Sequence, residues 1–167
     1  MGDWNRTTRQ LTPAEMRPEM AAALLEHSEH FGLELALDQC RMCVETVSDK
    51  KKRGLFGGGG DRQTIQVAII TPPWLAVVVR GDKPDSAGAM TLELAQARVS
   101  DYADEPTYRL VPDSGVNVEG PFTGRIGMHD SLNTSIFIGL GDEPSADMFR
   151  ETLNQAVQSA RGQSSRA

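Results

Sequence analysis

Two histidines and two cysteines stand close together in this chain, in His27-Ser28-Glu29-His30 and Cys40-Arg41-Met42-Cys43. Two imidazoles and two thiolates are a ligand set for tetrahedral zinc. The elements expected to carry them work against convergence. An amphipathic helix places His27 and His30 on its solvent half, and a strand over 40–48 sends Cys40 and Cys43 to opposite faces. The expectation is therefore two surface histidines and two buried thiols, with metal binding by His27, His30, Cys40 and Cys43 as a minor alternative. A redox Cys-x-x-Cys pair needs a helix N-terminus to lower a thiol pKa, and no strand-then-helix pattern precedes Cys40. No cofactor is expected.

Other candidates for chemistry have equally plain readings. His129-Asp130-Ser131 sets three triad residue types side by side, but adjacency in sequence is not the geometry of a nucleophile aligned with a base. Asp101, Asp104 and Glu105 gather beside Tyr102 and read as a hydrated turn, because a hard-cation site needs more converging oxygens. The four glycines of residues 57–60 are followed by no Lys-Ser or Lys-Thr and open no helix, so they form a spacer and no phosphate loop. One charge asymmetry stands out. Lys50, Lys51, Lys52 and Arg53 hold three of the chain's four lysines, and Arg62 follows just beyond the glycines. No residue set for catalysis emerges, and the chain is expected not to be an enzyme; a small enzyme of unrecognised type is the remaining alternative.

The totals narrow the classes further. A chain of 167 residues with 39% hydrophobic and 24% charged residues can bury a core without disulfides or metal. The apolar stretch at 67–79 is interrupted by Thr71-Pro72-Pro73 and falls short of the roughly 20 residues that a spanning helix needs. No transmembrane segment is expected. The net charge of −6 argues against nucleic-acid binding, which rests on clustered Lys and Arg. Two cysteines and an N-terminus without an apolar core region point to a reducing, cytoplasmic location.

The positioning elements follow from periodicity. Residues 1–11 and 162–167 are polar and aperiodic, and are expected to be disordered tails flanking a single domain over 12–161. In its N-terminal helical segment, 12–38, Thr12-Pro13-Ala14-Glu15 reads as a capping box, and a second helix starts near Pro18 and stops at Gly32. Strands are expected over 40–48, around Ile65, Val67 and Ile69, over 74–79, and at Met90, Leu92 and Leu94. Further strands are expected over 108–111 and 116–119, paired across Pro112-Asp113-Ser114-Gly115, and at Ile136, Ile138 and Leu140. The spacing of Ala146, Phe149, Leu153, Ala156, Val157 and Ala160 predicts an amphipathic helix opened by Asp142-Glu143-Pro144. This is an α+β chain of seven strands with a terminal helix and additional N-terminal helices.

Seven strands in short succession, a loop after the first and a helix after the last resemble the pleckstrin-homology-like fold, over residues 39–161. Val44-Glu45-Thr46-Val47, the 50–56 segment, Thr71-Pro72-Pro73-Trp74-Leu75, Pro112-Asp113-Ser114-Gly115 and Phe137-Ile138-Gly139-Leu140-Gly141 are similar to a group of bacterial pleckstrin-homology-like proteins to which no function is attached. The resemblance implies a bent antiparallel sheet or open barrel capped by the C-terminal helix. It also implies a candidate anion site, because lipid-binding members carry basic residues on this first loop; here these are Lys50, Lys51, Lys52, Arg53 and Arg62. At about 1 kcal/mol per basic residue near an anionic surface, the run of four at 50–53 in an acidic protein gives only weak membrane attachment.

Function by analogy is thus a non-catalytic protein-interaction or scaffolding module. It would bind a protein partner or its own copies through a sheet edge or a groove beside the terminal helix. The alternative is an anionic headgroup- or phosphate-binding module using the basic loop.

Overall fold

A computed structural model describes residues 4–51, 61–110, 112–126, 129–130 and 134–166. Lys52, Arg53, the four glycines and Ser131 lie outside the described residues. The architecture is α+β, and every strand pair in it is antiparallel. Among the described residues no helix is long and apolar enough to cross a membrane.

The chain opens with β1 (Trp4–Gln10), followed by α1 (Pro18–Phe31). The meander β2 (Met42–Lys50), β3 (Gln63–Thr71), β4 (Trp74–Arg80) and β5 (Gly88–Glu93) comes next. Then follow β6 (Arg98–Asp101), β7 (Gly115–Gly120), a hairpin of β8 (Thr123–Ile126) and β9 (His129–Asp130), β10 (Thr134–Gly139) and α2 (Pro144–Ser164). The larger sheet has the order β1-β2-β3-β4-β5-β8-β9 and the smaller one β10-β7-β6.

Alternation along the central strands explains why both faces of the large sheet are covered. One set of side chains, including Cys43, Ile65, Val67, Ile69, Ala76 and Val78, packs against Met20 and Leu24 of α1. The other set, including Met42, Val44, Ala68, Ile70, Leu75 and Val77, packs against Phe149 and Leu153 of α2 and against Val116, Val118 and Ile138 of the small sheet. A strand buried on both faces reads as a continuous apolar run, as Val67 to Ile70 of β3 and Leu75 to Val78 of β4 do.

Several expectations need correction. Residues 4–10, expected in a disordered tail, form β1, which pairs along its whole length with β2. The C-terminal tail is shorter than expected, because α2 continues to Ser164. In place of a strand over 108–111 there is a 3-10 turn, Pro106–Arg109; Pro106 has no N–H to give a ladder and fits the first turn of a helix. The partner of β7 in that position is β6, which the sequence reading passed over. Ten strands, not seven, are present among the described residues. The N-terminal helical segment contains one α-helix, preceded by a 3-10 turn at Pro13–Glu15. There the Glu15 carboxylate accepts from both the backbone N–H and the hydroxyl of Thr12.

His27 is a further correction. It is buried, not on the solvent half of α1, and its Nε2 lies 2.9 Å from Thr91 Oγ1 of β5. Gly124, at φ +107°, makes room for the ring, since a Cβ there would strike it. Leu25 and Phe31 take the exposed positions instead. Burial holds the His27 imidazole below the ordinary value of 6.5, and neighbouring His30 adds to the effect. Below that value the unfolded chain takes up a proton that the folded ring resists, so the contribution of His27 is complete above the unfolded pKa and is lost as pH falls. The melting temperature of the wild type is therefore expected to drop further between about pH 7.5 and about pH 5.5 than that of His27→Gln. Equal drops in the two proteins would exclude this role for the ring.

Candidate functional site: a polar cleft between the two sheets

The inward positions of β2 and β3 change character along each strand. On β2 they run Met42, Val44, Thr46, Ser48, and on β3 they run Ile70, Ala68, Gln66, Thr64. The apolar ends lie under α2, where Thr152 Oγ1 meets Met42 Sδ at 3.6 Å. Among the described residues, none from α1 or α2 lines the space above the polar ends. Thr46 is buried against Thr8, while Ser48, Gln66 and Thr64 line a cleft of about 440 Å³, within the size range of ligand pockets. Val79, Met90 and Ile136 form its apolar floor, and Ser48, Thr64, Thr134 and Ser135 supply hydroxyls.

One wall of the cleft is the edge of β10. This strand pairs with β7 on one side. On the other side the carboxamide of Gln66 reaches across from β3: Gly139 N–H donates to Oε1 and Nε2 donates to the carbonyl of Phe137, both at 3.0 Å.

The opposite wall is built around Arg6 of β1. Its Nε donates to Asp113 Oδ1 at 3.0 Å and its Nη2 to Oδ2 at 2.6 Å, while Nη1 bonds Ser48 Oγ. The guanidinium carbon lies over the Phe137 ring, 5.2 Å from its centroid, and over the Trp4 ring at 5.9 Å. Such a two-bond fork fixes the group in orientation as well as position. Gly139 permits it, because a Cβ there would occupy the place of the guanidinium. Among the described residues, Arg6 and Asp113 are the ionisable groups lining this cleft, and each is bonded to the other.

The outer face of the large sheet carries a second ionic cluster. The Glu45 carboxylate of β2 is 1% exposed and receives Arg9 Nε of β1 at 2.9 Å and Arg17 Nε at 3.0 Å. Arg17 precedes α1 directly, so this cluster fastens the helix to the sheet.

The residues singled out from sequence are placed as follows. Lys50 ends β2 opposite Trp4, and Lys51 and Arg62 flank the segment between β2 and β3. Lys51 also borders a smaller depression, of about 310 Å³, that shares Trp4, Arg6 and Asp113 with the cleft. Acids stand beside these bases. Asp82 accepts from the backbone N–H of Arg62 and of Gln63, which holds its carboxyl below the usual range, and Asp49 accepts from Gln63 Nε2. Cys40 and Cys43 do not go to opposite faces: Cys40 precedes β2, and both pack in the core beneath α1. Burial, first of all, pushes the Cys43 thiol up to about 12, far from a reactive thiolate. His30 meets Phe31 edge to face, and among the described residues no three of His, Cys, Asp and Glu converge to hold a metal ion. Asp101 caps the turn that follows it by accepting from Ala103 N–H, and Glu105 accepts from Ser100 Oγ.

Sequence reasoning missed the cleft. Its two ionic partners lie 107 positions apart, one of them in a segment set aside as a tail. The usable signal was the loss of apolar character at the inward positions Thr46, Ser48, Gln66 and Thr64. No family model, curated protein or solved structure matches the chain.

Proposed function

We propose that this chain is a non-catalytic protein-interaction module of pleckstrin-homology-like arrangement that holds a short segment of a partner in the cleft between its two sheets. The order of elements supports the arrangement: a four-stranded meander from β2 to β5, a three-stranded sheet of β6, β7 and β10, and then α2. One observation carries the functional reading. The inward faces of β2 and β3 turn polar where α2 stops covering them, leaving a built cleft where a core would otherwise continue. Binding without turnover fits a lining whose acid and base are bonded to one another, with no nucleophile set beside a base among the described lining residues.

The test is selection of a random peptide display library on the immobilised full chain, with two blocked variants as counter-screens, Thr64→Phe inside the cleft and Ser135→Trp at its rim. Clones are expected to bind the wild type with micromolar affinity and to lose on the order of tenfold or more on either variant. Far-ultraviolet spectra and melting curves of both variants establish that they are folded. Absence of any clone that distinguishes the folded variants from the wild type overturns the reading.

A further inference from the structure

Resting on that reading, we infer that the cleft binds its partner as an uncharged, extended strand added to the outer edge of β10, continuing the line that the Gln66 carboxamide begins. The alternation of the strand carries the argument. Phe137 C=O and Gly139 N–H face the edge occupied by Gln66, whereas Leu140 N–H turns the other way and donates to Ser114 C=O at 3.0 Å. Successive residues of a strand present their amides to opposite neighbours. Ser135 N–H, Ser135 C=O and Phe137 N–H therefore point along the same edge as the groups that Gln66 engages. The carboxamide, one donor and one acceptor in a plane, stands where a single peptide unit of a neighbouring strand would stand. Among the described residues no strand pairs with that edge, and residues 134–137 line the cleft.

Strand addition uses main-chain bonds for affinity and alternate side chains for selectivity. At about 3.3 Å per residue, the edge from Ser135 to the Gln66 amide accommodates about three residues. The side chain turned inward meets Val79, Met90 and Ile136, which calls for an apolar residue. The charge of the guest follows from the lining: Arg6 and Asp113 neutralise each other through two bonds, so a carboxylate or ammonium on the guest would be desolvated without a free counter-charge among the described lining residues.

The probes are the peptides recovered on the wild type and lost on the blocked variants, resynthesised with one N-methyl group at a time. Expected is an alternating pattern, a loss on the order of tenfold where a main-chain N–H is removed from the β10 side and little change at the positions between. In the same complex, amide exchange at Ser135 and Phe137 is expected to slow by about tenfold or more. Cleft-dependent peptides that share an obligatory Asp or Glu, or that leave exchange at both amides unchanged, overturn the strand-addition inference while the cleft reading stands. Failure to recover any cleft-dependent peptide overturns both.

Discussion

Replacing Phe149 by alanine is expected to lower the free energy of unfolding by about 3–5 kcal/mol. Phe149 is completely buried, on the stripe of α2 formed with Ala146, Leu153, Ala156 and Val157. It belongs to the core cluster that also holds the inward side chains of β2, β3 and β4 and those of the small sheet. Removing the ring forfeits its transfer out of water and leaves a void between layers that are each anchored elsewhere, by strand pairing below and by Arg161 to the Ala97 carbonyl at the far end of the helix. Collapse around the void is thus restricted, which places the cost toward the upper end of the range. Met148→Ala, one residue earlier on the exposed side of the same helix, is expected to change stability by less than about 0.5 kcal/mol. Urea unfolding of the two variants measures the difference. A Phe149→Ala cost within about 1 kcal/mol of the Met148→Ala cost would contradict the packing described for α2.

The double substitution Arg9→Ala with Arg17→Ala is expected to cost a comparable amount, about 3–5 kcal/mol, because it leaves Glu45 buried without a counter-charge. The asymmetry of exposure makes the prediction specific. Arg9 and Arg17 are 57% and 38% exposed, whereas Glu45 is 1% exposed. Take away the carboxylate and two largely hydrated guanidinium groups return to water; take away the guanidinium groups and a desolvated anion remains. Glu45→Met is therefore expected to be milder than the double arginine variant, and adding Glu45→Met to that variant is expected to recover most of the loss, since a buried ionic cluster replaced by an apolar side chain of similar volume is often neutral. Unfolding curves for the three proteins decide the matter. Failure of Glu45→Met to rescue would mean that the arginines stabilise the fold through their alkyl stems and not through charge.

The parts of this molecule that were legible in the sequence are those where one physical effect acts alone. Ala146, Phe149, Leu153, Ala156 and Val157 repeat at helical spacing because a single face of α2 is covered, and the β3–β4 hairpin announced itself because both of its faces are. Strand β1 obeys another rule. Its residues Arg6, Thr8 and Arg9 are there for polar contacts with Asp113, Thr46 and Glu45, so hydrophobic alternation is absent and the segment resembles a tail. His27 was misplaced for a related reason: a histidine at a core position of α1 is allowed by Thr91 and by the missing side chain of Gly124, both remote in sequence. The cleft depended on several such remote pairings at once, and its one local trace was the polar turn of the inward positions of β2 and β3.

Thr8 brings distant parts of the chain together. Its N–H donates to Glu143, its carbonyl accepts from Ser145 Oγ and its hydroxyl accepts from Gly141 N–H, links that span 133 to 137 residues. Contacts this remote raise contact order and slow the search for the native state. During synthesis the ribosome must release the segment around residue 145 before β1 can be clasped from outside, and until then the rim of the large sheet presents naked main-chain groups to any strand nearby. The nascent polypeptide accordingly passes through a window of exposure to misassembly, one that narrows when its late-made residues arrive to engage the main chain of Thr8 in an early-made strand.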